Sequence, residues 1–146
     1  MNNSSLYDEN TFYQAFLQDL EHCQKQVVIE SPFITTERMR TFDGIFRNLV
    51  ERGIKIYIVT RDPKEHGNGY EIQSEDAIKW YENIGIQVLL CSGNHHRKLA
   101  ILDKKILWEG SLNILSQIYS REIMRRIDNK ELTEEMISFL KFDKFL

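Results

Sequence analysis

Three short runs rich in β-branched residues, Val27–Ile29, Ile54–Val59 and Ile86–Leu90, each follow a stretch whose apolar residues recur at helical spacing. That alternation constrains the fold more than any other feature. A strand, a helix and a second strand in one sheet make a crossover unit, and successive units lay strands side by side with helices over the faces. The first helix is read from Asn10 to near Gln24, with Phe12, Phe16, Leu17 and Leu20 on its apolar face. Thr35 or Thr36 caps the second, which carries Met39, Phe42, Ile45, Phe46, Leu49 and Val50 and stops at Gly53. Ser74, followed by Glu75 and Asp76, opens the third through Ile78, Trp80 and Tyr81, and Gly85 closes it. Residues 1–9 are polar and are expected to be loose, and the turn-rich stretch 61–70 reads as a surface loop.

A hairpin follows. Lys98–Leu102 and Ile106–Trp108 read as strands joined by a turn at Asp103-Lys104. His96 and Lys98 are two apart, as are Ser111 and Asn113, so in extended chain each pair faces one side. A two- or four-residue turn sets His96 opposite Ser111 and Asn94 opposite Asn113, and four polar side chains then converge at the open end. Strand parity turns Asp103 to the other face, where it is expected to support or orient and not to react. Ile114–Tyr119 is a connection or short helix, Arg121–Ile127 a last strand, and Asp128 or Asn129 the cap of a terminal helix with Leu132, Met136, Ile137, Phe139 and Leu140. The expected fold is a single α/β domain over residues 1–146, a mixed β-sheet flanked by helices on both faces. Ligands in open α/β sheets sit at the carboxyl ends of parallel strands, and Glu30-Ser31, Thr60-Arg61-Asp62 and Cys91-Ser92 stand there.

Composition narrows the function classes. With 19 basic and 22 acidic residues the net charge is −3, so any nucleic-acid contact must come from a local patch. Lys104, Lys105, Arg121, Arg125 and Arg126 are candidates for such a basic rim, although charge runs are more often solvated faces. No apolar run has membrane-spanning length, the first residues lack the pattern of a signal peptide, and Cys23 and Cys91 make no disulfide framework. A cytoplasmic location is the expectation. His66, His95, His96 and Cys91 have no recognised zinc-ligand spacing, so no metal is expected.

The spacing His96-x-Lys98, four residues, Asp103, six residues, Gly110-Ser111-x-Asn113 resembles the signature of the phospholipase D superfamily, H-x-K-x4-D followed by G-S-x-N. Glu122 resembles the acidic residue that members place a little after the asparagine, while Ser120, two before it, stands where some carry Asn. The resemblance implies catalytic roles for His96, Lys98, Ser111, Asn113 and Glu122, support from Asp103 and Gly110, no cofactor and a covalent phosphohistidine intermediate. The physical chemistry agrees with it. Histidine serves as nucleophile or acid near neutrality, a lysine ammonium meets charge developing on phosphate oxygens, and serine and asparagine donate hydrogen bonds. One histidine cannot easily attack phosphorus and also protonate the opposite oxygen, whereas two copies across a twofold axis can. With only one signature present, the resemblance implies a homodimer like the small bacterial endonucleases of the superfamily. Arg97, Ser31 and Glu30 are taken as candidate substrate-binding groups, and His95 as structural by parity.

The leading expectation is a metal-independent endonuclease acting on DNA, with single strands among the candidate substrates. The alternatives are a phospholipase or phosphatidyl transferase, and a nucleic-acid-binding module acting with a helicase or restriction partner. No interfacial apolar anchor is evident, so no membrane partner is expected.

Overall fold

Val27, Val28, Ile29 and Glu30 are each fully buried, because the strand that carries them has a helical layer on both sides. The computed structural model describes residues 3–116 and 119–146, apart from the side chains of residues 68 and 69. Its elements are β1 (Ser4–Asp8), α1 (Phe12–Glu21), β2 (Gln26–Glu30), α2 (Thr36–Glu51), β3 (Lys55–Arg61), α3 (Asn68–Asn83), β4 (Gln87–Cys91), β5 (Leu99–Leu102), β6 (Ile106–Gly110), β7 (Ile123–Asp128) and α4 (Lys130–Leu140). They build one seven-stranded sheet in the order β1-β7-β6-β5-β2-β3-β4. β2, β3 and β4 pair in parallel, and β5, β6, β7 and β1 extend the sheet antiparallel from β2. The fold is therefore the mixed α/β sheet that the alternation of runs implies.

The two faces divide by residue parity. Val27 and Ile29 point to the larger core, where Phe12, Phe16 and Leu20 of α1, Phe42, Phe46 and Leu49 of α2 and Tyr81 of α3 meet Trp108. Val28, with Leu99, Ile101 and Leu107, points to the smaller core under Ile137 of α4 and Phe142. Thr35 caps α2 by accepting from Arg38 N–H, and Asn129 caps α4 by accepting from Leu132 N–H.

The structure departs from the sequence reading in three places. Residues 4–8 are not loose but form β1, paired with β7 from Ser4↔Ile127 to Asp8↔Ile123. An edge strand with one open face needs no apolar run, so its sequence looks like a tail. α3 begins at Asn68 and not at Ser74, which lies buried inside it. Gln73 accepts from the Thr36 backbone N–H at 2.9 Å, so docking against α2 holds a segment whose glycines suggest a loop. Pro63–Glu65 is a single 3-10 turn. Finally, the hairpin loop has three residues, 103–105, so Leu102 pairs with Ile106 and Leu99 with Glu109, one step from the expected register. Asp103 and Lys104 both take left-handed conformations there, with φ near 55°. Residues 117 and 118 of the Ile114–Tyr119 connection lie outside the described residues.

Candidate active site

Strand polarity gathers the chemistry at one end of the sheet. β2, β3 and β4 end there with Glu30, Arg61 and Cys91, β6 ends there with Gly110, and β5 and β7 begin there after His96-Arg97-Lys98 and Glu122. Adjacent strand ends are laced together. Gly110 N–H donates to the Lys98 carbonyl, Ser111 N–H donates to the Ile123 carbonyl at 2.9 Å, and Ile123 N–H donates to Ser111 Oγ at 3.0 Å. The histidine–lysine segment, the Gly-Ser-x-Asn segment and Glu122 thus lie on three successive strands, β5, β6 and β7.

Each residue reaches that end in its own way. His96 and Arg97 are exposed, and Lys98 curls back so that Nζ donates to the His96 carbonyl at 2.8 Å. Asn113 and Glu122 share a pocket of about 180 Å³ with Glu9, Tyr13, Arg38 and Ser116. Within it, Asn113 Oδ1 and Glu122 Oε2 are buried without a hydrogen-bond partner among the described residues. Ser120 Oγ donates to Glu122 Oε1, and Glu122 N–H donates to Glu9 Oε1 at 2.8 Å, so β7 enters the site braced against the turn after β1. Ser111 spends its hydroxyl on the β7 backbone. Gly110 is required by close approach, since a Cβ there would lie 2.1 Å from the Ile123 carbonyl oxygen.

Several sequence-stated roles change. Glu30 is no rim group. Its carboxylate is fully buried, takes two hydrogen bonds of 3.1 Å from Arg97, and lies 2.8 Å from His95 Nε2 without hydrogen-bond alignment. Arg97 is accordingly committed to Glu30, and the pair anchors the chain that presents His96. Ser31 is also buried, with Oγ donating to the Phe33 carbonyl and accepting from Leu115 N–H, which ties β2 to the Asn113 loop. Asn94 does not face Asn113. It sits at φ 60° and accepts from Arg61 at 3.0 Å, while Glu65 accepts from Gly93 N–H at 2.8 Å. The Gly93 N–H, with Arg61 and the Asn94 N–H, donates to the Glu65 carboxylate and holds it below the usual carboxyl range. Of the basic rim, Lys104 and Lys105 lie at the far end of the sheet, and Arg126 pairs with Asp19 at 2.7 Å.

Asp103 lies at that far end too. Its carboxylate accepts from the backbone N–H groups of Gln24, Lys25 and Gln26 at 2.9, 2.8 and 3.1 Å, fastening the hairpin to the start of β2. The prediction is direct: Asp103→Ala lowers stability by about 1–3 kcal/mol in denaturant titration, with turnover per folded molecule unchanged. A kinetic loss with stability intact would return Asp103 to the reacting groups.

Tyr13 and Arg38 join the site although nothing in the sequence sets them apart as site residues. Tyr13 Oη donates to the Ile114 carbonyl at 2.8 Å, and burial pushes its pKa up to about 12, so it remains a neutral strut under the loop. Arg38 stacks on the Tyr13 ring at 3.6 Å. Only their common helical spacing marks them, and helix-face residues ordinarily signal core. Among the described residues, no group of three or more His, Cys, Asp and Glu side chains is arranged to hold a metal ion. No helix of the described residues is long and apolar enough to cross a membrane.

A mixed sheet with this signature at one end defines a phospholipase D-like domain. The family described as "Cardiolipin synthase, PLD-like domain" matches residues 16–143, and the chain belongs to it and so to the phospholipase D superfamily of phosphodiesterases. Among solved structures the chain is similar to Nuc, a phospholipase D family member from Salmonella typhimurium, with a TM-score of 0.72, 19% identity and coverage of 94% of this chain and 92% of that one. NucT from Helicobacter pylori gives a TM-score of 0.70, 20% identity and the same coverages, 94% and 92%. Phosphatidylserine synthase from Haemophilus influenzae gives 0.70 at 14% identity, covering 96% of this chain and 37% of that one. No curated protein matches significantly. At these identities the structural likenesses show the fold.

Proposed function

We propose that the chain is a metal-independent endonuclease that cleaves DNA in a site completed by a second copy of itself. The observation that carries this reading is the gathering of His96, Lys98, Asn113 and Glu122 on neighbouring strand ends, beside a polar pocket with unmet acceptors. A ring nitrogen of His96 attacks phosphorus and forms a P–N bond as the P–O bond to the leaving alkoxide breaks. His96 of the partner subunit gives that alkoxide its proton. Water then attacks phosphorus, forming a P–O bond as the P–N bond breaks and His96 is released, while water's proton passes to the partner's His96, which restores both imidazoles. Lys98 and the amide Nδ2 of Asn113 donate to the charge on the non-bridging oxygens, and Glu122, through the Oε1 that also accepts from Ser120, holds an imidazole in the reactive tautomer. A groove lined by Leu6, Lys98, Gly110, Ile123 and Phe139 offers the second copy an apolar seat beside the site, with Leu6, Ile123 and Phe139 all exposed.

A lipid phosphodiesterase is the second reading, favoured by the likeness to phosphatidylserine synthase and by the same apolar groove. The deciding assay offers labelled single-stranded and duplex DNA and phosphatidylcholine vesicles, all in EDTA. Cleavage of DNA with a trapped covalent phosphoenzyme is the expected result. Headgroup release alone points to the lipid reading, and DNA retention without cleavage points to a binding module. Loss of DNA cleavage in EDTA, restored by a divalent cation, contradicts the metal-independent step.

A further inference from the structure

The pocket that holds Asn113 and Glu122 has a second wall for which the proposed chemistry has no use. Arg38 lays its guanidinium plane against the Tyr13 ring at 3.6 Å, and its Nε is buried without a partner. Ser116, only 4% exposed, likewise has an unpartnered Oγ in the same pocket. Across from these, Asn113 Oδ1 and Glu122 Oε2 are buried acceptors that lack donors. A buried polar atom without a partner is costly, so four in one cavity mark a surface shaped for a ligand. At its mouth stands Tyr119, 90% exposed.

The chemistry of the wall selects among ligands. A phosphate seated inside the pocket offers acceptors alone and would meet Glu122 Oε2 and Asn113 Oδ1 with repulsion. The pocket needs a flat group that carries both donors and acceptors on one edge. We propose that it is a recognition subsite for one unpaired nucleobase next to the scissile diester, an inference that rests on the nuclease reading above. A volume of about 180 Å³ admits one base and not a base pair. Arg38 and Tyr119 supply stacking surfaces, as arginine planes and aromatic rings do for splayed bases. Guanine, with adjacent N–H donors and a carbonyl acceptor, meets the donor and acceptor set most fully. A base in duplex has that edge already paired, so the subsite makes the enzyme one for single strands.

Two variants leave the reacting groups intact, Tyr119→Ala and Arg38→Met. Tyr119 is the cleaner, since an exposed side chain contributes little to folding. Binding is read by fluorescence anisotropy with a fluorescein-labelled single-stranded oligonucleotide containing guanine, in the His96→Ala background so that the probe survives. Turnover of bis(p-nitrophenyl) phosphate, a diester with no base, is measured separately with His96 present. Tyr119→Ala should weaken oligonucleotide binding about tenfold or more, Arg38→Met should do the same, and turnover of the small diester should stay at the wild-type rate. Equal affinities of variants and parent, or duplex bound as tightly as single strand, would overturn the subsite even if the small diester is hydrolysed. Absence of diester hydrolysis by the unmodified protein would instead sink the nuclease reading, while a binding loss in Tyr119→Ala would still uphold the base pocket.

Discussion

Replacing His96 by alanine should reduce phosphodiester cleavage by roughly 10⁴-fold or more while leaving the melting temperature unchanged. The side chain is exposed and its backbone carbonyl, not its ring, receives the Lys98 hydrogen bond, so no folding contact is lost with the imidazole. The loss is large because the nucleophile has no substitute nearby. His95 points to the other face, 2.8 Å from Glu30. The same variant tests the shared site. Co-refolded with an equal amount of wild-type chain, it should leave about a quarter of the activity of wild type at the same total chain concentration, the share of dimers with both imidazoles intact. Half the activity would mean that each copy works alone and would defeat the division of nucleophile and acid between subunits. Lys98→Ala in the same experiment should slow turnover more than it weakens binding, because the ammonium acts chiefly on charge that develops in the transition state.

How far the sequence alone reaches can be judged residue by residue. The apolar runs of β2, β3 and β4 were legible because burial on both faces demands continuous β-branched residues, and the helices because each has one apolar stripe. The signature that marks the candidate site is legible in the spacing of His96, Lys98, Gly110, Ser111 and Asn113. The site's geometry is not. One additional loop residue at 103–105 shifts the hairpin register, and sheet parity alone would then send Ser111 and Asn113 away from His96. They remain at the same end because β6 stops at Gly110 and the chain turns toward the β7 backbone. Glu30 looks like a rim group in the sequence because a charged residue after an apolar run ordinarily marks a strand mouth, and its partners Arg97 and His95 lie 67 and 65 positions on. Arg38 and Tyr13 stayed hidden for the same reason: long-range packing brings α1 and α2 to the Asn113 loop.

Gly110→Ala is expected to be the most damaging single methyl in the chain. Its Cβ would lie 2.1 Å from the Ile123 carbonyl oxygen, 2.8 Å from Met124 Sδ and 2.9 Å from Met124 Cα. The thioether can swing aside, but two of the three obstacles include or belong to the β7 backbone, which must move as a strand. That movement would break the 2.9 Å bond from Ser111 N–H to the same Ile123 oxygen and the 3.0 Å bond from Ile123 N–H to Ser111 Oγ. It would also shift Glu122, one residue earlier, from its place opposite Asn113. A destabilisation above about 4 kcal/mol in denaturant titration follows from backbone overlap of this kind. Any fraction that folds should lose turnover as well, because β7 carries Glu122 and β6 leads into Asn113. A Gly110→Ala protein with wild-type stability would show that β7 can retreat freely, and the rigid coupling of the Gly-Ser-x-Asn segment to Glu122 would then be lost as an explanation for the site. Asp103→Ala supplies the contrast, since it loosens the opposite end of the same hairpin and should spare the chemistry. The two variants together separate what holds the hairpin from what aims it.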